Sequence, residues 1–102
     1  MTGVQTCALP ICYAFIPNRK SGDLSIIDTK HKLKGEVIPW EIKRIPVGIW
    51  PGGTVFNEDG SYAYVANNKT NDISVINVNS LKEEGKRINV GIHPDGIAYL
   101  KK

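Results

Sequence analysis

The chain has 102 residues, with 13 basic and 10 acidic side chains of interspersed sign and a net charge of +3. A nucleic-acid footprint needs a basic face with aromatic platforms. The densest basic cluster, Lys30-His31-Lys32-Leu33-Lys34, reads instead as a solvated loop beside a sheet edge, so no nucleic-acid partner is expected. The longest apolar runs are strand-length, so no membrane span is expected either.

Met1 to Ile11 carries no charge and no period. It is not a secretory signal as it stands, because no Lys or Arg precedes Arg19 and Ala8 to Ile11 is too short for an apolar core. The segment closely resembles the translation of a common short-read sequencing adapter. Residues 1–12 are therefore expected to be non-native or disordered, and residues 1–11 to make few contacts and carry no regular pairing. Cys7 and Cys12 are the only cysteines, and Cys-x4-Cys with no following His is neither a haem attachment site nor a zinc knuckle.

From Tyr13 the chain alternates strands and turns. Tyr13 to Pro17 reads as a strand ended by Pro17, which has no N–H for a ladder. Asn18 to Asp23 is a turn, Leu24 to Asp28 a strand, and Thr29 to Gly35 a basic loop. Glu36 to Val47 holds a strand broken at Pro39, and Gly48 to Gly52 is a crossing segment. Four further strands follow at Gly53 to Phe56, Ser61 to Ala66, Ile73 to Val78 and Lys86 to Val90, with a second crossing at Gly91 to Asp95. Asp59-Gly60 supplies a tight turn. The one expected helical turn is Ser80 to Glu84, where Ser80 and Glu83 have capping-box spacing.

The decisive feature is an internal repeat. Tyr13 to Asp28 lies over Tyr62 to Asn77 without a gap, at an offset of 49, with Tyr, Ala, Asn, Lys, Asp, Ser and Ile recurring identically. Ile45 to Gly53 lies over Ile88 to Gly96 at an offset of 43. The difference of six falls in the connection Thr29 to Arg44. A β-rich repeat of forty-odd residues is the sequence signature of a propeller blade, a four-stranded antiparallel sheet whose two apolar faces are buried only between neighbouring blades. The expected fold is thus all-β, an incomplete β-propeller. Residues 13–52 form a partial blade, 53–95 a complete blade, and 96–102 the first strand of another. Propellers close with about 4 to 8 blades. The chain therefore reads as a fragment whose partners include the remaining blades of the same propeller. In isolation it is expected to fold poorly or to self-associate.

Several motifs carry a resemblance. Tyr64-Val65-Ala66-Asn67 and, more loosely, Phe15-Ile16-Pro17-Asn18 are similar to the name motif of the YVTN-type β-propeller repeat. Val47-Gly48-x-x-Pro51 and Val90-Gly91-x-x-Pro94 resemble its blade junction, and Asn57-Glu58-Asp59-Gly60 its Ser-Pro-Asp-Gly hairpin. The resemblance covers Tyr13 to Leu100. It implies an exported protein, extracellular, cell-surface or periplasmic, in bacteria or archaea.

Sheet connectivity places the turn between a blade's second and third strands at the same end as the crossing that leaves its fourth. The side chains available there are Arg19, Lys20, Asp23, Trp50, Asn68, Lys69, Asp72, His93 and Asp95. Trp50, His93, Asp95, Asn68 and Lys69 are the candidate ligand-face residues. Trp50 and His93 occupy equivalent positions, so that position is not a repeated structural requirement; both can also simply pack beside Pro51 and Pro94. Asp23 and Asp72 recur with the repeat, as do Asn18 and Asn67. Recurrence favours a scaffold role, with the carboxylate accepting backbone N–H groups as in an Asx turn.

No catalytic residue, cofactor or metal site is read from the chain, since a metal on His93 would need ligands from elsewhere. The expected function is a non-enzymatic binding or scaffold module for a protein or small-molecule ligand at the channel face. The alternative is part of an exported propeller enzyme, lactonase-like or of the haem d1 or amine-oxidising redox type, as the related propellers imply.

Overall fold

The computed structural model describes residues 4–8, 11–30, 32–37, 40–92, 94 and 97. Every element among them is a strand, in three antiparallel sheets. The chain is all-β, two propeller blades in tandem that do not close a ring.

The first blade has strands β1 (Val4–Ala8), β2 (Ile11–Asn18), β3 (Asp23–Asp28) and β6 (Trp40–Pro46), hydrogen-bonded in that order. Between β3 and β6 stands a two-stranded ribbon, β4 (Lys32–Leu33) with β5 (Glu36–Val37). Lys34 and Gly35 at its tip have φ of 51° and 83°, the double left-handed pair of a type I′ hairpin. The basic loop is therefore a small projecting arm, and Glu36–Val37 belongs to the arm rather than to the outer strand. The second blade has β7 (Pro51–Phe56), β8 (Tyr62–Asn67), β9 (Asp72–Asn77), and an outer line made of β10 (Lys82–Glu83) and β11 (Ile88–Asn89), both on β9.

Both repeat offsets reappear in the ladders. Asn18 faces Asp23 and Tyr13 faces Asp28, as Asn67 faces Asp72 and Tyr62 faces Asn77. Leu24 faces Ile45, as Ile73 faces Ile88.

The structure corrects further sequence expectations. Val4–Ala8 is regularly paired, with Val4 opposite Phe15 and Ala8 opposite Ile11, in the inner-strand place that was expected to be empty. A ladder is made by backbone groups and the edge of β2 needs a partner, so a segment of any origin with strand propensity can fill it. Its register differs from that of β7, where Phe56 faces Ala63 across a longer turn. Cys12 is disulfide-bonded, and the chain's other cysteine, Cys7, is its cross-strand neighbour.

Pro17 lies inside β2 rather than ending it. It faces Leu24 at a position where the backbone nitrogen points away from β3, so the β2–β3 ladder loses no hydrogen bond. Ser80 to Glu84 is not helical. Asn77 Oδ1 accepts from the N–H of Asn79 (2.9 Å) and Ser80 (3.1 Å), its carbonyl accepts from Leu81, and Leu81 turns back at φ 54° into β10. The outer line consequently starts at Lys82, four residues before the expected Lys86.

Residues of alternate parity face opposite ways, and this decides the core. Phe15, Leu24, Ile26 and Ile45 of the first blade meet Ala63, Val65, Ile76 and Val78 of the second in one cluster. Phe15 meets Phe56 edge-to-face at 5.1 Å, within the range in which such pairs are stabilising. Lys43 Nζ donates to the Leu81 carbonyl across the same seam at 2.7 Å. Among the described residues the two remaining faces are less covered, although Ala66 and Ile73 on the second blade's outward face are buried. Ala63, Val65 and Ile76 are fully buried, whereas their repeat equivalents Ala14, Ile16 and Ile27 are only half-buried. Ile45 is 3% exposed, whereas Ile88 is 52% exposed.

Candidate functional site

The turn after β2 and the turn after β8 are built identically. Asn67 Nδ2 donates to Asp72 Oδ1 (2.8 Å) and Ser74 Oγ (2.9 Å), and Thr70 Oγ1 donates to Asp72 Oδ1 (2.9 Å). Asn18 Nδ2 donates to Asp23 Oδ1 and Ser25 Oγ, both at 2.8 Å, and Ser21 Oγ donates to Asp23 Oδ1 at 2.8 Å. Both turns close with a backbone bond of the same spacing, Gly22 N to Asn18 O and Asn71 N to Asn67 O, with Gly22 and Asn71 at φ 70° and 57°. Asp23 and Asp72 are thus scaffold residues whose partners are side-chain amides and hydroxyls, not the backbone N–H groups of the expected Asx turn. Ser21 and Thr70 went unnoticed in the sequence because Ser and Thr are not identical, although both supply the same hydroxyl.

The crossing segments lie at this end. Val47 N donates to Gly22 O, and Val90 N to Asn71 O, both at 2.9 Å. The first crossing also binds the turn ahead of it: Asn68 N donates to Trp50 O and Lys69 N to Ile49 O, both at 3.0 Å, and Ile49 N donates to Thr70 Oγ1 at 3.3 Å. Gly48 permits this approach, since a Cβ there would lie 2.3 Å from Thr70 Oγ1 and 2.5 Å from Asn67 Cγ. The Val-Gly pair common to both crossings was the signal for this contact.

Of the candidate ligand-face residues, Trp50, Asn68 and Lys69 are brought together. Lys69 Nζ stands 4.2 Å above the Trp50 ring, a cation–π distance. Trp50 has φ 62°, a conformation that bulky residues seldom adopt, held by the bond from Asn68. Asn68 also donates through Nδ2 to the Pro94 carbonyl at 3.4 Å, which ties the second crossing to the same end. His93 and Asp95, like His31 and most of residues 96–102, lie outside the described residues. Among the described residues, no three His, Cys, Asp or Glu side chains gather as a metal set.

No helix among the described residues is long and apolar enough to cross a membrane. No family model matches the chain, and no curated protein matches it. Among solved structures, a chain of Kuenenia stuttgartiensis hydrazine synthase, a propeller-containing protein, superposes with a TM-score of 0.68 at 25% identity over 82% of this chain. This chain matches only 22% of that neighbour's length. The likeness is one of blades, and it agrees with the two tandem sheets described above.

Proposed function

We propose that the chain is part of an exported YVTN-type propeller that acts as a binding or scaffold module, with its ligand at the end bearing Trp50, Asn68 and Lys69. The observation that supports this reading is the Trp50 backbone, held at φ 62° by the next blade's turn while Lys69 covers its ring. Backbone strain of this kind clusters at ligand clamps. The position varies between repeats, Trp in one and His93 in the other, which suits recognition better than scaffolding. Export, to the periplasm, the cell surface or beyond, is supported by the resemblance of the repeat motifs.

A second reading has one finding in its favour. The neighbour is an enzyme by its title, hydrazine synthase. On that reading the chain is one part of a propeller enzyme whose active site draws on further blades.

The coding sequence of the intact gene separates the two. A signal peptide followed by propeller repeats alone is expected. A fused Cys-x-x-Cys-His haem-attachment domain, or a set of metal ligands recurring at the Trp50 and His93 position, overturns the binding-module reading.

A further inference from the structure

The two less covered faces of this chain are the repeat counterparts of the two faces that already pack together at its centre. The outward face of the second blade carries Tyr62, Tyr64, Val75 and Ile88, all at least partly exposed, beside Ile73 and Ala66, which are buried. Its equivalent in the first blade is Tyr13, Phe15, Leu24, Ile26 and Ile45, the half of the central seam that meets Ala63, Val65 and Ile76. The outward face of the first blade carries Ala14, Ile16 and Ile27, equivalents of those same three residues. The glycines repeat the pattern. Gly48 is pressed against Asn67 and Thr70, while Gly91, its equivalent, meets nothing among the described residues. Val47 is 9% exposed and its equivalent Val90 40%. Among the described residues the chain therefore carries both halves of one interface, each only partly covered.

Building on the propeller reading, we propose that copies of this chain dock head to tail, the second blade of one on the first blade of the next, and close into a ring. A heterologous interface of this kind makes a ring when its rotation closes. Propellers hold about 4 to 8 blades, so two blades per copy give about two to four copies per ring. Val4–Ala8 completes the fourth strand of the first blade, so each copy contributes two full sheets.

Sedimentation equilibrium with far-UV circular dichroism tests this, using the full chain and two variants, Ile88→Glu and Ile16→Glu. Each places a charge on one of these faces, away from the central seam. The wild-type chain is expected to give a single β-rich species of two to four copies. Each variant alone is expected to be a β-rich monomer. The two mixed are expected to form a 1:1 dimer and nothing larger, because each retains one competent face. A β-rich wild-type monomer, variants that still associate, or a mixture that stays monomeric overturns the ring and leaves the blades intact. A helical or unfolded spectrum overturns the blade reading as well.

Discussion

Asn67 donates through Nδ2 to Asp72 Oδ1 at 2.8 Å with both residues buried, and Asn18 makes the same bond to Asp23 at the same length where the burial is only partial. The last residue of the resembled name motif is thus an amide that fastens the following strand to the turn. Asn67 Oδ1 is buried with no hydrogen-bond partner among the described residues, so the bonds described come from the NH2 group.

Replacing Asn67 by Ala removes two buried bonds, one of them to a carboxylate. A loss of about 2–3 kcal/mol is expected in urea unfolding. Asn18→Ala removes the equivalent bonds in a wetter setting and, with both substitutions compared in the Ile88→Glu background where association is blocked, is expected to cost about 1 kcal/mol. Equal losses at the two sites would contradict the assignment of the first blade's outward face as less covered.

Gly48→Ala is expected to destabilise the chain by about 1–3 kcal/mol, since the added Cβ meets Asn67 and Thr70 far inside contact distance. Gly91→Ala is expected to be nearly neutral in the Ile88→Glu background, where association is blocked, and to weaken association of the otherwise wild-type chain. Thermal melts and sedimentation of the four proteins check both halves.

The Asp59 carboxyl is held below the usual carboxylate range, chiefly by hydrogen bonds from the Ser61 hydroxyl (2.6 Å) and backbone N–H (2.9 Å). A depressed folded pKa contributes stability that is present above the unfolded value and lost as pH falls through the folded one. The stability difference between wild type and Asp59→Ala is therefore expected to be constant from neutral pH down to about 4 and to shrink below that. A carbon-13 titration of Asp59 should show the low value directly; a midpoint at or above the ordinary range would remove this role for the turn.

Deleting residues 1–10 strips β1 from the inner edge of β2. Amide hydrogens of β2 that point toward β1 are expected to lose most of their exchange protection, while those bonded to β3 keep theirs. Unchanged protection along β2 would mean that Val4–Ala8 is not paired in solution.

The blades were legible because a blade is encoded by recurrence. Tyr13 to Asp28 and Tyr62 to Asn77 share apolar parity and turn residues, and the ladders keep that register residue for residue. The pairing of Val4–Ala8 was not legible, because what recruits it is the free edge of β2, a property of the backbone. Nor was the fate of Ser80. Its spacing to Glu83 suits a cap, yet Asn77 Oδ1 accepts from the Ser80 N–H that the Glu83 side chain would have capped. At the candidate site the shared end of Trp50, Asn68 and Lys69 followed from strand order alone. The stacking of Lys69 on Trp50 did not, since it depends on the left-handed backbone of a residue whose sequence gives no reason for it.

The central claim is that the two repeats form the same blade twice. Tyr64 and Val75, and their equivalents Phe15 and Ile26, are directly opposite at non-hydrogen-bonded positions, where antiparallel α-protons come closest. A nuclear Overhauser spectrum of the labelled chain tests both at once. Strong α-proton to α-proton contacts are expected at Tyr64–Val75 and at Phe15–Ile26. A contact displaced by one residue in either repeat, or helical chemical shifts across Ser61 to Asn77, would contradict the account.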